Sequence, residues 1–111
     1  MNPFVRFIRA LTKWQFRVRG LATIPEIPTE EFNQLVEKLQ AEGWKKIYEY
    51  DGYDAWIDYG CIRLKRNGVR LKCEWDNYHE GSIEGRAATI EEIAQMAGRK
   101  SLPEWRFSVW D

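Results

Sequence analysis

Asn67-Gly68 constrains this chain more than any other pair of its residues. A two-residue type I′ turn needs positive φ at both central positions, which asparagine and glycine accept more readily than other residues. The residues on both sides alternate in polarity, so the dipeptide predicts a tight antiparallel hairpin in one register. Counting outward, Arg66 faces Val69, Leu64 faces Leu71 and Ile62 faces Cys73. The same count sets Lys65 opposite Arg70 and Arg63 opposite Lys72 on the other face.

The first arm of the hairpin is expected from about Ala55 to Arg66 and the second from Val69 to Trp75. Ala55, Ile57 and Tyr59 have the opposite parity to Ile62 and Leu64. A bulge near Gly60-Cys61 would bring both sets to one face.

Hydrophobic period places the remaining elements. Phe32, Leu35, Val36 and Leu39 follow helical spacing after a capping Thr29, and Gly43 ends that helix with Trp44 placed for the accompanying apolar contact. A strand from Trp44 to Tyr50 and a turn at Asp51-Gly52 lead into the hairpin. Thr89-Ile90-Glu91-Glu92 has the form of a capping box for a helix that buries Ile90, Ile93, Ala94 and Ala97 and closes at Gly98. Upstream, Asn2-Pro3 resembles a helix start, and Phe4, Phe7, Ile8 and Leu11 share a helical face. From Lys13 to Arg19 the period becomes two, which favours a short strand over continuation of the helix through Val18. Residues 20–28, with Pro25 and Pro28, read as a connection, and residues 76–88 as a loop with a short strand at Ser82 to Glu84. Trp105 to Trp110 alternates and reads as a last strand.

These elements make an α+β fold: an antiparallel β-sheet of about 4–5 strands with two or three helices packed on one face. A length of 111 residues suits one domain over 1–111, in which a basic helix and strand (1–20) pack on an α+β core (29–111). Apolar residues at 44% exclude a disordered chain, and no run of apolar residues is long enough to span a bilayer. No signal peptide is discernible, and two cysteines are too few for a disulfide scaffold, so a cytoplasmic protein with reduced Cys61 and Cys73 is expected.

Catalytic arrangements are hard to build. His79 is the single histidine, no nucleophile elbow, phosphate loop or Cys-x-x-Cys pair is present, and Cys61, Cys73 and His79 lack zinc-ligand spacing. Asp76, His79, Glu80 and Glu84 could converge as an acid–base group or a weak metal site, or could form a solvated turn in which Asp76 binds nearby backbone. No metal or cofactor is expected.

The face of the hairpin opposite Leu64 and Leu71 carries more information. Arg63, Lys65, Arg70 and Lys72 lie there with like charges directly opposed, and Arg17 and Arg19 could extend the cluster. Residues 1–25 hold five cations and no acid, while the whole chain has zero net charge. Six Trp, five Tyr and five Phe exceed what a small core readily hides. The expectation is a small non-catalytic protein-binding domain, of inhibitor, immunity or adaptor type, that presents Arg63, Lys65, Arg70, Lys72, Arg17 and Arg19 to an acidic protein partner. Internal carboxylates such as Glu74 could instead neutralise the cluster. Nucleic acid on the same face is the main alternative, though zero net charge weighs against it. A hydrolase built on His79 and neighbouring carboxylates is a lesser one. The basic N-terminal helix could also lie on a membrane surface.

Overall fold

Asn67 and Gly68 adopt φ of 50° and 78°, as the type I′ turn requires. The strands they join are β3 (Tyr59–Arg66) and β4 (Val69–Asp76), and their pairing is continuous from Arg66 opposite Val69 to Tyr59 opposite Asp76. The register read from the sequence is therefore the one formed. The bulge expected at Gly60-Cys61 is not. Residues 55–58 leave the ladder instead, and β3 begins at Tyr59, so Ala55 and Ile57 set no parity within it.

This computed structural model describes residues 20–103. The helix and strand expected before Gly20, with Arg17 and Arg19, and the strand expected from Trp105 to Trp110 lie outside the described residues. In chain order the remaining elements are β1 (Leu21–Ile27), α1 (Thr29–Ala41), β2 (Lys45–Glu49), β5 (Glu80–Arg86), α2 (Ala87–Ala97) and β6 (Leu102–Pro103). All strand pairs are antiparallel, in the order β2-β3-β4-β5-β1-β6, which gives an α+β fold with a six-stranded sheet. The sheet exceeds the expected four to five strands because two segments read chiefly as connections, the second around a short strand at Ser82 to Glu84, are full strands, and because β6 adds a strand at Leu102–Pro103, where none is expected.

The first is β1. Pro25 and Pro28 argue for a connection, but Ala22 and Ile24 alternate into the core and the ladder with β5 runs from Leu21 to Ile24. Pro25 falls where the register shifts, beside Glu26 at φ 52°, so its missing N–H removes no ladder bond there. The irregularity also resets the parity, and Ile27 is buried along with Ile24. The second is β5, which pairs with both β4 and β1 and so lies inside the sheet. Its core-facing positions are Gly81, Ile83 and Gly85, all buried.

Both helices feed one core. Phe32, Leu35, Val36 and Leu39 of α1 and Ile90, Ile93 and Ala94 of α2 cluster with Ile24, Leu64, Leu71, Cys73 and Ile83 of the sheet. The helix starts differ from expectation. Thr29 is the first helical residue and not the cap; its backbone N–H donates to Glu80 Oε2 of β5 at 3.0 Å. Thr89 lies inside α2, whose N-terminal Ala87 N–H donates to Gly20 O at 3.0 Å. Tertiary partners meet the first amides that local capping boxes would otherwise serve. The helix ends match the sequence: Gly43 has φ 101°, Gly98 has φ 68°, and the Trp44 N–H donates to Leu39 O at 3.1 Å. No helix among the described residues is long and apolar enough to cross a membrane.

Candidate functional site

Strand register assembles the charged face one cross-strand row at a time. Lys45 of β2 pairs with Lys65 of β3, which pairs with Arg70 of β4. Directly opposed residues of neighbouring strands point to the same side. Nearest the hairpin turn, then, three cations stand side by side. In the next row Tyr48 faces Arg63, Arg63 faces Lys72, and Lys72 faces Glu84 of β5. Beyond it come Cys61, Glu74 and Ser82, and then Tyr59, Asp76 and Glu80. The face is thus polarised, with cations at the Asn67-Gly68 end and carboxylates at the other. Alternation along β5 puts Arg86, two residues after Glu84, on this face as well.

Each of the four hairpin cations meets a different environment. Lys72 is neutralised, its Nζ lying 3.2 Å from Glu74 Oε1. Glu74 is itself fixed by the Tyr59 hydroxyl, which donates to Oε2 at 2.8 Å and whose own pKa is driven up by burial and by that carboxylate. The Arg63 guanidinium lies 5.9 Å from the centre of the Tyr48 ring, within cation–π range. Lys65 and Arg70 have no ion-pair partner among the described residues, and neither does Lys45. Arg70 is exposed and Lys65 half-buried. The structure therefore brings together Arg63, Lys65, Arg70 and Lys72 and adds Lys45 and Arg86. The added residues were legible only with the pairing of β2 and the existence of β5 in hand, and the sequence signals neither strongly.

The turn around His79 has local work. Asp76 Oδ1 accepts the backbone N–H groups of Tyr78 at 2.8 Å and His79 at 2.7 Å, and His79 Nδ1 lies 3.3 Å away. Glu80 is turned away to the first amide of α1. Asp76 and Glu80 each serve backbone, which is the solvated-turn alternative for this cluster. Among the described residues no three His, Cys, Asp or Glu side chains are grouped to hold a metal ion. The backbone amide of His79, more than any other group, holds the Asp76 carboxyl below its usual range. A depressed folded-state pKa stabilises the fold above the unfolded value and loses that contribution as pH falls through the folded one. Asp76→Ala should therefore lower the urea midpoint modestly at pH 7, and the gap to wild type should close only as the pH falls below 3.8. A gap that stays constant across that range would remove Asp76 from the turn's stability.

Cys61 and Cys73 are both buried and free. Cys61 pairs with Glu74 and Cys73 with Ile62, so in a continuous ladder the thiols project to opposite faces and form no cross-strand bridge. Burial pushes the Cys73 thiol up to about 12, which keeps it protonated and poorly nucleophilic near neutrality.

A second concavity lies on the Leu64 and Leu71 side of the sheet. It is a groove of about 460 Å³ between α1 and the strands, lined by Phe32, Val36, Ile62, Trp56 and Trp75, with Glu37 and Glu49 among its polar residues. The Trp75 indole N–H donates to Thr29 Oγ1 at 2.9 Å and that of Trp56 to Glu49 Oε2 at 3.1 Å, so both rings are held. No protein-family description matches the chain, and no curated protein or solved structure is significantly similar to it.

Proposed function

We propose that this is a small non-catalytic protein-binding domain, of inhibitor, immunity or adaptor type, that meets an acidic protein partner with the cationic end of its sheet. The observation that carries the reading is the row of Lys45, Lys65 and Arg70, three cations abreast without a carboxylate partner among the described residues. Like charges directly opposed across strands are unfavourable, so the row gains from an anion brought to it. In this reading both helices pack on the other face, and Lys45, Lys65 and Arg70, which have no ion-pair partner among the described residues, meet the partner. The protein is cytoplasmic, where its separated thiols stay reduced.

Acidic protein is favoured over nucleic acid by what surrounds the row. Glu74, Asp76 and Glu84 share the face with the cations, while Glu80 is drawn to the first amide of α1. A phosphate backbone tracking across it would run from attraction into repulsion within three strand rows. A protein surface can match both signs, which is how charge complementarity selects partners.

The test is Lys65→Gln with Arg70→Gln in one variant. Folding stability should hold or rise by up to about 1 kcal/mol, since an opposed like-charge pair is removed. Binding to an acidic probe, poly-L-glutamate, should weaken, with the association rate falling most at low salt. Loss of stability with unchanged binding would mean that the cations are used internally. Tighter capture of a single-stranded oligonucleotide of equal charge, with a salt slope that becomes shallower by about one unit per lost phosphate contact, would move the site to nucleic acid.

A further inference from the structure

The Trp-lined groove differs from the cationic rows in side, shape and charge. From α1 it takes Thr29, Phe32, Asn33, Val36, Glu37 and Gln40, one helical face over three turns. At 1.5 Å per residue those positions span about 16 Å, the length of about five residues of extended chain. The groove is therefore elongated. Its floor is apolar, provided by Ile62 and Trp75 of the sheet, and its lining holds two carboxylates and no cation.

Trp56 gives the groove a wall at a cost in backbone strain. Its φ is 62°, a left-handed conformation that a bulky aromatic residue rarely adopts. Three contacts keep it there: its backbone N–H donates to Tyr59 O at 2.8 Å, its indole N–H donates to Glu49, and its ring lies against Gly60. A Cβ on Gly60 would come within 2.2 Å of Trp56 Cε3, so glycine is what lets the ring settle. The residue is still 37% exposed. Strain of this kind persists where the surroundings over-determine it, often at ligand clamps. The Glu49 carboxylate is committed to Trp56 and to Lys46 Nζ at 2.6 Å, which lowers its pKa, so Glu37 is the acid left to meet a ligand.

We propose that this groove binds an extended basic segment of a protein, with an arginine side chain laid against Trp56 and Trp75 and its guanidinium turned to Glu37. The length of the groove fits a peptide strand, and Glu37, its carboxylate without an ion-pair partner among the described residues, selects a cation. Fixed indoles suit a guanidinium, which combines an apolar stem with a head that indole rings attract. The site does not depend on the cationic rows, because it lies on the other side of the sheet and takes the opposite charge.

The experiment is a titration of the ¹⁵N-labelled protein with a capped pentapeptide carrying one central arginine among alanines, read at the indole N–H signals of Trp56 and Trp75. Saturable shifts of both signals are expected, and citrulline in place of arginine should weaken binding by about tenfold or more. Glu37 is exposed on α1, so Glu37→Lys should leave the melting temperature unchanged and weaken binding by at least as much. The variant with Lys65→Gln and Arg70→Gln should bind the arginine peptide as wild type does, which separates this site from the cationic rows. Equal affinity for the arginine and citrulline peptides would overturn the proposal. So would butylguanidinium binding as tightly as the pentapeptide, which would make this a site for a compact cation, or the absence of any indole shift at millimolar peptide.

Discussion

Replacing Gly81 with valine is expected to destabilise the protein by about 3 kcal/mol, the upper end of the range for overfilling a packed core. Gly81 sits in β5 between Trp75 of β4 and Ile27 of β1, where a β-branched residue would ordinarily favour the strand. Here the Phe32 ring already occupies the space. A Cβ at Gly81 would lie 2.3 Å from Phe32 Cδ1 and 2.7 Å from Phe32 Cβ, too close for the ring to escape by rotating alone. Phe32 is 1% exposed, and Leu35, Val36 and Leu39 anchor the same helix, so α1 as a whole must shift. The urea midpoint should fall with little change in m, because the folded state remains equally compact. Adding Phe32→Leu should restore part of the loss, giving a negative coupling between two contacting sites. A Gly81→Val protein as stable as wild type would show that α1 is not seated over β5.

The same contact explains why the sequence shows only Ser82 to Glu84 of β5. Strand recognition relies on large apolar residues at alternate positions, and β5 offers Gly81, Ile83 and Gly85. Its alternation is intact, since Ser82, Glu84 and Arg86 take the other face, but two inward positions are empty so that larger neighbours can approach. Phe32 presses on one, and Leu71 Cδ2 would stand 2.8 Å from a Cβ at Gly85. Glycine marks close approach here and reads as a break on the page. Pro25 misleads in β1 for a related reason, because its effect depends on whether it falls in the ladder or at an irregularity. Thr29 and Thr89 mislead through competition: Glu80 and Gly20 meet the helix-start amides from other parts of the fold. Where only local chemistry decides, at Asn67-Gly68, Gly43 and Gly98, the sequence is a reliable guide. The charged face follows the same division. The four hairpin cations come from one turn and its register, whereas Lys45, Arg86 and the neutralising position of Glu74 need the whole sheet. The groove escapes sequence reading altogether, because Trp56, Trp75 and Glu37 belong to three separate segments.

Trp44→Ala should cost about 3–5 kcal/mol, the usual range for truncating a buried aromatic residue and a large share of the about 5–15 kcal/mol by which a domain is stable. Trp44 is 4% exposed and follows directly on the left-handed Gly43, so its ring is the apolar contact that locks the end of α1 onto the sheet. Arg66, the last residue of β3, covers it. Its guanidinium lies 4.8 Å from the indole centre, and Nη1 donates to Glu42 O at 3.1 Å. One side chain thus stacks on the ring and satisfies a carbonyl at the helix end, where a positive charge also complements the helix dipole. Arg66→Ala should cost about 1–2 kcal/mol from these contacts together. The two effects should not add. Once the ring is gone, Arg66 retains only its bond to Glu42, so the double variant should be more stable than the sum of the single losses by about 0.5–1 kcal/mol. Strict additivity would place the whole contribution of Arg66 in its bond to the helix end and none in stacking. A Trp44→Ala loss below about 1 kcal/mol, comparable to a surface change, would mean that α1 is held by Phe32, Leu35 and Val36 alone and that its C-terminal turn is free to fray.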